Sequence, residues 1–189
     1  SKYLNALKEI MIEEHIIFNS DGLKLEGVLS YDENVLNPPI VLLCPPHPHL
    51  GGDMENNVIT ALGSVLAENG FASLRFNYRG VGRSAGLALE EADLVRDGTA
   101  CLNFLSRNYQ VTDTSNVLLF GHSLGGSIAT SLHCQKSFRG HLINDRSFSS
   151  LAAVPMSWIE IVPAIQRVLP QFLRDFAKSV IDFVVSEIG

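Results

Sequence analysis

A short apolar run that leads directly into a serine flanked by glycines is the feature that most constrains the fold of this chain. The run at residues 117–120 is followed by Gly-His-Ser-Leu-Gly at residues 121–125, and small residues continue from there. This order predicts a buried strand that turns sharply into a helix and holds Ser123 at the carboxyl end of the strand. A side chain at Gly121 or Gly125 is expected to collide with the backbone across such a turn.

Strand and helix patterns alternate on both sides of this turn. A leading hairpin is predicted at residues 15–29, and its second arm, Leu23–Leu29, alternates apolar and polar residues as a half-exposed edge strand does. Further strands are predicted at residues 40–44, 71–76, 116–120 and 141–144, with helical spacing between them. We therefore expect an α/β protein, a three-layer α/β/α sandwich. Its mostly parallel sheet would have about six strands and an N-terminal antiparallel hairpin.

Length and composition favour one globular domain over residues 1–189, with a core at residues 13–145 and a helical tail at residues 154–189. Apolar residues make up 46% of the chain and charged residues 18%, which excludes a disordered protein. The net charge is −6 and no basic cluster occurs, so nucleic acid is not expected as a partner. No apolar run reaches about twenty residues, so no transmembrane segment is predicted.

The cysteines favour a reducing environment. Cys44, Cys101 and Cys134 each fall in an apolar segment, which predicts buried reduced thiols. Such thiols are typical of a reducing compartment, and residues 1–9 lack the apolar core of a signal peptide, so we expect a cytoplasmic protein.

Two other motifs resemble ligand-binding sites, but we predict no ligand at either of them. His47 and His49 form a His-x-His pair that could bind a metal, but no third ligand lies near them in the sequence. The loop Arg79–Gly86 is rich in glycine, yet its glycines depart from the Gly-x-Gly-x-x-Gly register of a dinucleotide site. We therefore predict no metal and no cofactor, and interpret this loop as a structural one beside Ser123.

A serine presented by such a turn, a nucleophile elbow, can act as the nucleophile of acyl transfer. The tetrahedral intermediate then needs two backbone N–H donors, an oxyanion hole. One donor is predicted at Leu124, and the other at His49 or at Leu50, because Pro48 has no N–H. The alternative is that Ser123 only caps the helix that follows it.

Three segments together resemble the serine hydrolases of the α/β-hydrolase superfamily. They are His47–Gly52, Asn77–Ser84 and Gly121–Gly126, in the order and spacing of that superfamily, and the resemblance covers about residues 13–145. The segment Asn144–Leu151 is also loosely similar to the CHLPS-type hydrolases. The resemblance implies that the chain cleaves a small-molecule carboxylic ester, amide or related acyl bond through an acyl-serine at Ser123.

The catalytic base departs from the pattern of that superfamily, in which a histidine follows the last strand. No histidine follows His141, so the fold is expected to be shortened at its C-terminus. One of His47 and His49 could replace this base through a rearranged loop. Asp145 is a candidate for the orienting acid, although a carboxylate at a strand end also suits a structural role.

Two alternatives to an active enzyme follow from the missing histidine. The chain could be a non-catalytic hydrolase scaffold that binds a partner, or a fragment of a longer hydrolase. A shortened sheet would also expose an edge, which the helices predicted at residues 163–188 or a homodimer could cover.

Overall fold

The structure, a computed structural model, describes residues 11–48, 52–109 and 114–145. Its strands are β1 (Met11–Ser20), β2 (Leu23–Asp32), β3 (Ile40–Cys44), β4 (Ala72–Phe76), β5 (Val117–His122) and β6 (His141–Asp145). Its helices are α1 (Asn57–Glu68), α2 (Glu91–Asn108) and α3 (Leu124–His133). The helical tail predicted at residues 154–189 lies outside the described residues.

The strands form one mixed sheet in the order β1-β2-β4-β3-β5-β6. The pairs β3–β4, β3–β5 and β5–β6 are parallel, whereas β1 pairs antiparallel with β2 and β2 with β4. The predicted sheet of six strands with an antiparallel N-terminal hairpin is confirmed. No helix in the described ranges has the length and apolar character that a membrane span requires.

Alternate residues of the central strands separate two apolar layers. Leu42 in β3 and Leu119 in β5 pack in the layer that also holds the apolar side chains of α2 and α3. Leu43 and Phe120 face the other side of the sheet and pack against α1. Helices cover both faces of β3 and β5, which explains why these strands are continuous apolar runs. The predicted three-layer arrangement is confirmed.

The position of β2 corrects the expectation of a half-exposed edge strand. It lies between β1 and β4, and most of its residues are buried. Glu26 is buried because its carboxylate accepts hydrogen bonds from Asn77 Nδ2 (2.8 Å) and the Arg83 N–H (2.6 Å). Ser30 is buried because its hydroxyl accepts a hydrogen bond from Arg75 Nη1 (3.1 Å). Polar residues with buried partners thus produce the same alternation as polar residues that face water.

The cysteines divide into two environments. Cys44 and Cys101 are buried and free, as expected, and burial raises the pKa of the Cys44 thiol to about 12. Cys134 is free but exposed, so the expectation of burial is wrong for this residue. It follows the last residue of α3, where the buried stripe that includes Ile128 and Leu132 has already ended.

Candidate active site

The turn between β5 and α3 holds Ser123 in an unusual backbone conformation. Its φ is +56° and its ψ is −121°, in a region that residues with a side chain rarely adopt. The Ser123 side chain makes no capping hydrogen bond to the first turn of α3. The serine side chain therefore does not act as the helix cap of the alternative interpretation, and Ser123 lies partly exposed directly after β5.

The flanking glycines explain why the turn can be so tight. A Cβ atom at Gly121 would lie 2.3 Å from the carbonyl oxygen of Gly125 and 2.4 Å from Cα of Gly126. A Cβ atom at Gly125 would lie 2.1 Å from the carbonyl oxygen of Cys44, the last residue of β3. The predicted collisions with the backbone are confirmed, and the end of β3 lies directly against the first turn of α3.

One of the predicted oxyanion donors belongs to the described residues. Leu124 is the first residue of α3, so its N–H has no acceptor within the helix and lies at the positive end of the helix dipole. The other predicted donor, His49 or Leu50, lies outside the described residues and stays a prediction. Among the described residues of the loop between β3 and α1, the Gly52 N–H donates a hydrogen bond to the His47 carbonyl oxygen (3.0 Å).

The end of β6 contacts the turn through Asp145. The Ser123 N–H donates a hydrogen bond to the Asp145 carbonyl oxygen (2.9 Å). Oδ2 of Asp145 lies 2.8 Å from Nδ1 of His122, the partner of Asp145 in the parallel register of β5 and β6. This contact could not be predicted from either strand alone, because it depends on which residues the two strands place side by side. Asp145 as orienting acid stays a prediction.

The other described histidines differ in how near they lie to Ser123. His133 ends α3 and is exposed, and His141 begins β6 at the end opposite Asp145. His15 lies in β1, the strand at the far edge of the sheet from β5. Of these residues, only His47 lies in a loop at the same edge of the sheet as Ser123, because that loop follows the carboxyl end of β3.

The glycine-rich loop after β4 is fixed by a buried arginine. Arg79 contacts Asp97 through Nη2 (2.7 Å) and Nε (3.0 Å), and its Nη1 contacts Asp93 (3.0 Å). The hydrogen bond to Asp97 above all raises the pKa of Arg79, and the hydrogen bond to Asp21 and the charge of Asp93 add to this, so Arg79 stays charged. The pKa of Asp93 is lowered, first by the hydrogen bond from the Leu89 N–H. This cluster was not predicted from the sequence. The only available signal was the spacing of Asp93 and Asp97, which places both carboxylates on the buried face of α2.

Comparisons with known proteins agree with this fold. The family described as serine aminopeptidase, S33, matches residues 51–180. An uncharacterised protein of Rickettsia prowazekii is 32% identical over 150 residues, which cover 75% of this chain and 62% of that protein. Two curated proteins of Mycobacterium tuberculosis match over 59% of their length, so the chain spans about 60% of the length of these relatives.

Solved structures give the same result. An α/β serine hydrolase homologue from Coxiella burnetii is 30% identical with a TM-score of 0.61, over 69% of this chain and 61% of that one. A serine hydrolase from Xanthomonas campestris, described as lacking a lid, is 27% identical with a TM-score of 0.58, over 70% of this chain and 60% of that one. Because the family match spans more than half of the residues and the strand order places the serine at the expected turn, the chain belongs to the serine aminopeptidase S33 family of the α/β-hydrolase superfamily.

Proposed function

We propose that the protein is a serine hydrolase that cleaves a carboxylic ester or a related acyl bond through an acyl-serine at Ser123. The observation that carries this proposal is the backbone of Ser123, which has a positive φ and a hydroxyl that does not cap α3. A non-glycine residue in such a conformation costs about 1–3 kcal/mol and persists only where its surroundings impose it. Strain of this kind at a strand-to-helix turn supports the role of a presented nucleophile.

The proposed reaction has two stages. Oγ of Ser123 attacks the acyl carbon while a base takes its proton, and the leaving alcohol then receives that proton as the bond to the acyl carbon breaks. Water attacks the acyl-serine in the second stage, which releases the acid and restores the hydroxyl. The Leu124 N–H and the donor predicted at His49 or Leu50 would stabilise the oxyanion of both stages. Each such donor contributes about 2.7–4 kcal/mol to the transition state.

The base is the second requirement of this proposal. The His122 ring, which neighbours Ser123 in the sequence, is held by Asp145. His47 lies in the loop after β3, at the same edge of the sheet as Ser123, and His49 follows it two positions later in the sequence. They are therefore the base candidates that the experiment below compares.

A fluorophosphonate probe, which reacts with an activated serine, tests the nucleophile. We expect the wild-type protein to incorporate one probe, located at Ser123 by peptide mass spectrometry, and Ser123→Ala to incorporate none. Ser131→Ala, a change at an exposed serine of the same helix, is the matched control and should react as the wild type does. Folded wild-type protein that reacts no faster than Ser123→Ala would support the non-catalytic scaffold instead.

The same assay identifies the base. His47→Gln or His49→Gln, whichever removes the base, should slow labelling by about 100-fold or more, since a general base contributes about 10²–10⁴-fold. Unchanged labelling in both variants would exclude this loop as the source of the base.

Two chromogenic substrates separate the bond classes. We expect hydrolysis of p-nitrophenyl butyrate, an ester, at a higher kcat/KM than hydrolysis of alanine p-nitroanilide, an aminoacyl amide. The amide is included because the matched family is described as serine aminopeptidase. Hydrolysis of the amide alone would retain the acyl-serine and overturn the assignment to esters.

A further inference from the structure

Asn77, the residue directly after β4, is buried and has a partner for every polar group. Its N–H donates to the Glu26 carbonyl oxygen (3.0 Å), and its own carbonyl oxygen accepts from Ser84 Oγ (2.9 Å). In the side chain, Nδ2 donates to Oε1 of Glu26 (2.8 Å), and Oδ1 accepts the Met54 N–H (2.8 Å). Asn77 therefore joins β2 and the glycine-rich loop to the loop between β3 and α1.

The orientation of the Asn77 amide is determined by its neighbours. A backbone N–H only donates hydrogen bonds, so the Asn77 side-chain oxygen must face Met54, and the NH₂ group therefore faces Glu26. Gly82 makes this arrangement possible, because a Cβ atom there would lie 2.4 Å from Oε1 of Glu26 and 2.5 Å from Nδ2 of Asn77. Gly82 also has a φ of +55°, which glycine adopts without strain.

The next residue, Tyr78, contacts the other arm of the same loop. Its hydroxyl lies 3.4 Å from the Pro45 carbonyl oxygen, directly after β3. Burial raises the pKa of Tyr78, so the hydroxyl stays protonated and points its hydrogen toward that oxygen. The same Pro45 oxygen lies 2.6 Å from the Cβ position of Gly125 in the first turn of α3. Two consecutive residues after β4 thus hold the beginning and the end of the β3–α1 loop beside the nucleophile turn.

We propose that Asn77 is a positioning residue: its side-chain oxygen fixes the Met54 arm of the β3–α1 loop, and this sets the position of the loop relative to Ser123 and Leu124. The catalytic consequence rests on the proposed function, because the loop is predicted to supply the second oxyanion donor. A displacement of about 1 Å at such a site can lower a rate by about 100-fold. The structural consequence, protection of the Met54 N–H, does not depend on catalysis.

The test combines hydrogen exchange with kinetics. Asn77→Leu keeps a similar side-chain volume and removes the acceptor of the Met54 N–H. Asn108→Leu is the matched control, because Asn108 is an exposed amide at the end of α2.

For Asn77→Leu we expect amide exchange in the peptide that contains Met54 to rise about 10-fold, as expected for one lost buried hydrogen bond. We also expect kcat for p-nitrophenyl butyrate to fall about 10- to 100-fold while KM changes by less than about 3-fold. Asn108→Leu should change neither quantity. Asn77→Ser, whose shorter side chain cannot reach Met54, replaces Asn77→Leu if the latter does not fold.

Three results are distinguishable. Unchanged exchange at Met54 in a folded Asn77 variant overturns the proposal, whatever the activity. Faster exchange with unchanged kcat, in a wild-type protein that is labelled at Ser123, also overturns it, because the loop position would then not serve catalysis. Absence of labelling at Ser123 overturns the proposed function and the catalytic part of this inference, whereas the exchange measurement still decides whether Asn77 fixes the loop.

Discussion

Replacing Gly125 with alanine places one methyl group at the tightest contact between β3 and α3. The new Cβ atom would lie 2.1 Å from the Cys44 carbonyl oxygen and 2.6 Å from that of Pro45. Both neighbours are backbone atoms, so a change of side-chain rotamer cannot relieve the overlap. Since real Cβ atoms keep about 3.0 Å from such oxygens, β3 and the first turn of α3 must separate by about 0.9 Å.

This separation has two consequences of different size. Overpacking a well-packed site lowers the free energy of unfolding by about 1–3 kcal/mol, which most folded domains survive. A displacement near 1 Å between the nucleophile turn and the β3–α1 loop should lower the rate of acyl transfer by about 100-fold. We therefore expect Gly125→Ala to remain folded and to react with the fluorophosphonate probe about 100-fold more slowly than the wild type.

The assay pairs the labelling rate with urea denaturation monitored by circular dichroism. Gly63→Ala is the matched control, because a Cβ atom at Gly63, in the middle of α1, meets only side-chain atoms, the nearest being Ser73 Oγ at 3.3 Å. That variant should label at the wild-type rate and lose little stability, since alanine favours the helix by about 1 kcal/mol over glycine. Wild-type labelling and stability in Gly125→Ala would refute the reasoning that the close contact constrains the turn.

Three other predictions concern stability. Arg79→Met leaves the fully buried Asp97 without its cation and should lower the free energy of unfolding in urea by about 3–5 kcal/mol. The pKa of Asp93 is lowered in the fold, so the stability that the ionised carboxylate contributes is present above about pH 4 and is lost as the pH falls through the folded pKa. The stability difference between the wild type and Asp93→Asn should therefore shrink in acid, which urea melts at a series of pH values would detect. Leu42→Ala should cost about 2–5 kcal/mol because Leu42 is fully buried in β3, whereas Leu36→Ala, at an 88% exposed position, should change stability by less than about 0.5 kcal/mol in the same melts.

The parts of the fold that the sequence predicted are those in which local pattern and burial agree. Strands β3 and β5 are continuous apolar runs because helices cover both of their faces, so each run is visible without knowledge of the rest of the chain. The turn at Ser123 was also predictable, because Gly121 is required by backbone contacts with Gly125 and Gly126, a few residues later. Gly125 itself is required by contacts with Cys44 and Pro45, which lie far earlier in the sequence.

The parts that were missed depend on partners far away in the sequence. β2 was predicted at an edge because nothing near Glu26 indicates that Asn77, 51 residues later, satisfies its carboxylate. The contact between His122 and Asp145 depends on the register between β5 and β6, which neither strand specifies alone. For the candidate site, the places of Ser123 and Leu124 in the turn could be predicted from spacing, and their roles as nucleophile and oxyanion donor stay proposals. The base could not, because it requires the positions of loops that spacing does not determine.

The hydrogen bonds and ion pairs of Arg79 have a consequence for how the segments around it unfold. One guanidinium binds the β1–β2 turn through Ser20 and Asp21, and helix α2 through Asp93 and Asp97. If any one segment separates, a charged group loses its partner inside the protein, which is more costly than the lost contact itself. Hairpin, loop and helix should therefore unfold in a single cooperative step, and the Arg79 amide, which donates to Asp97 (2.8 Å), should be among the slowest in the chain to exchange with solvent.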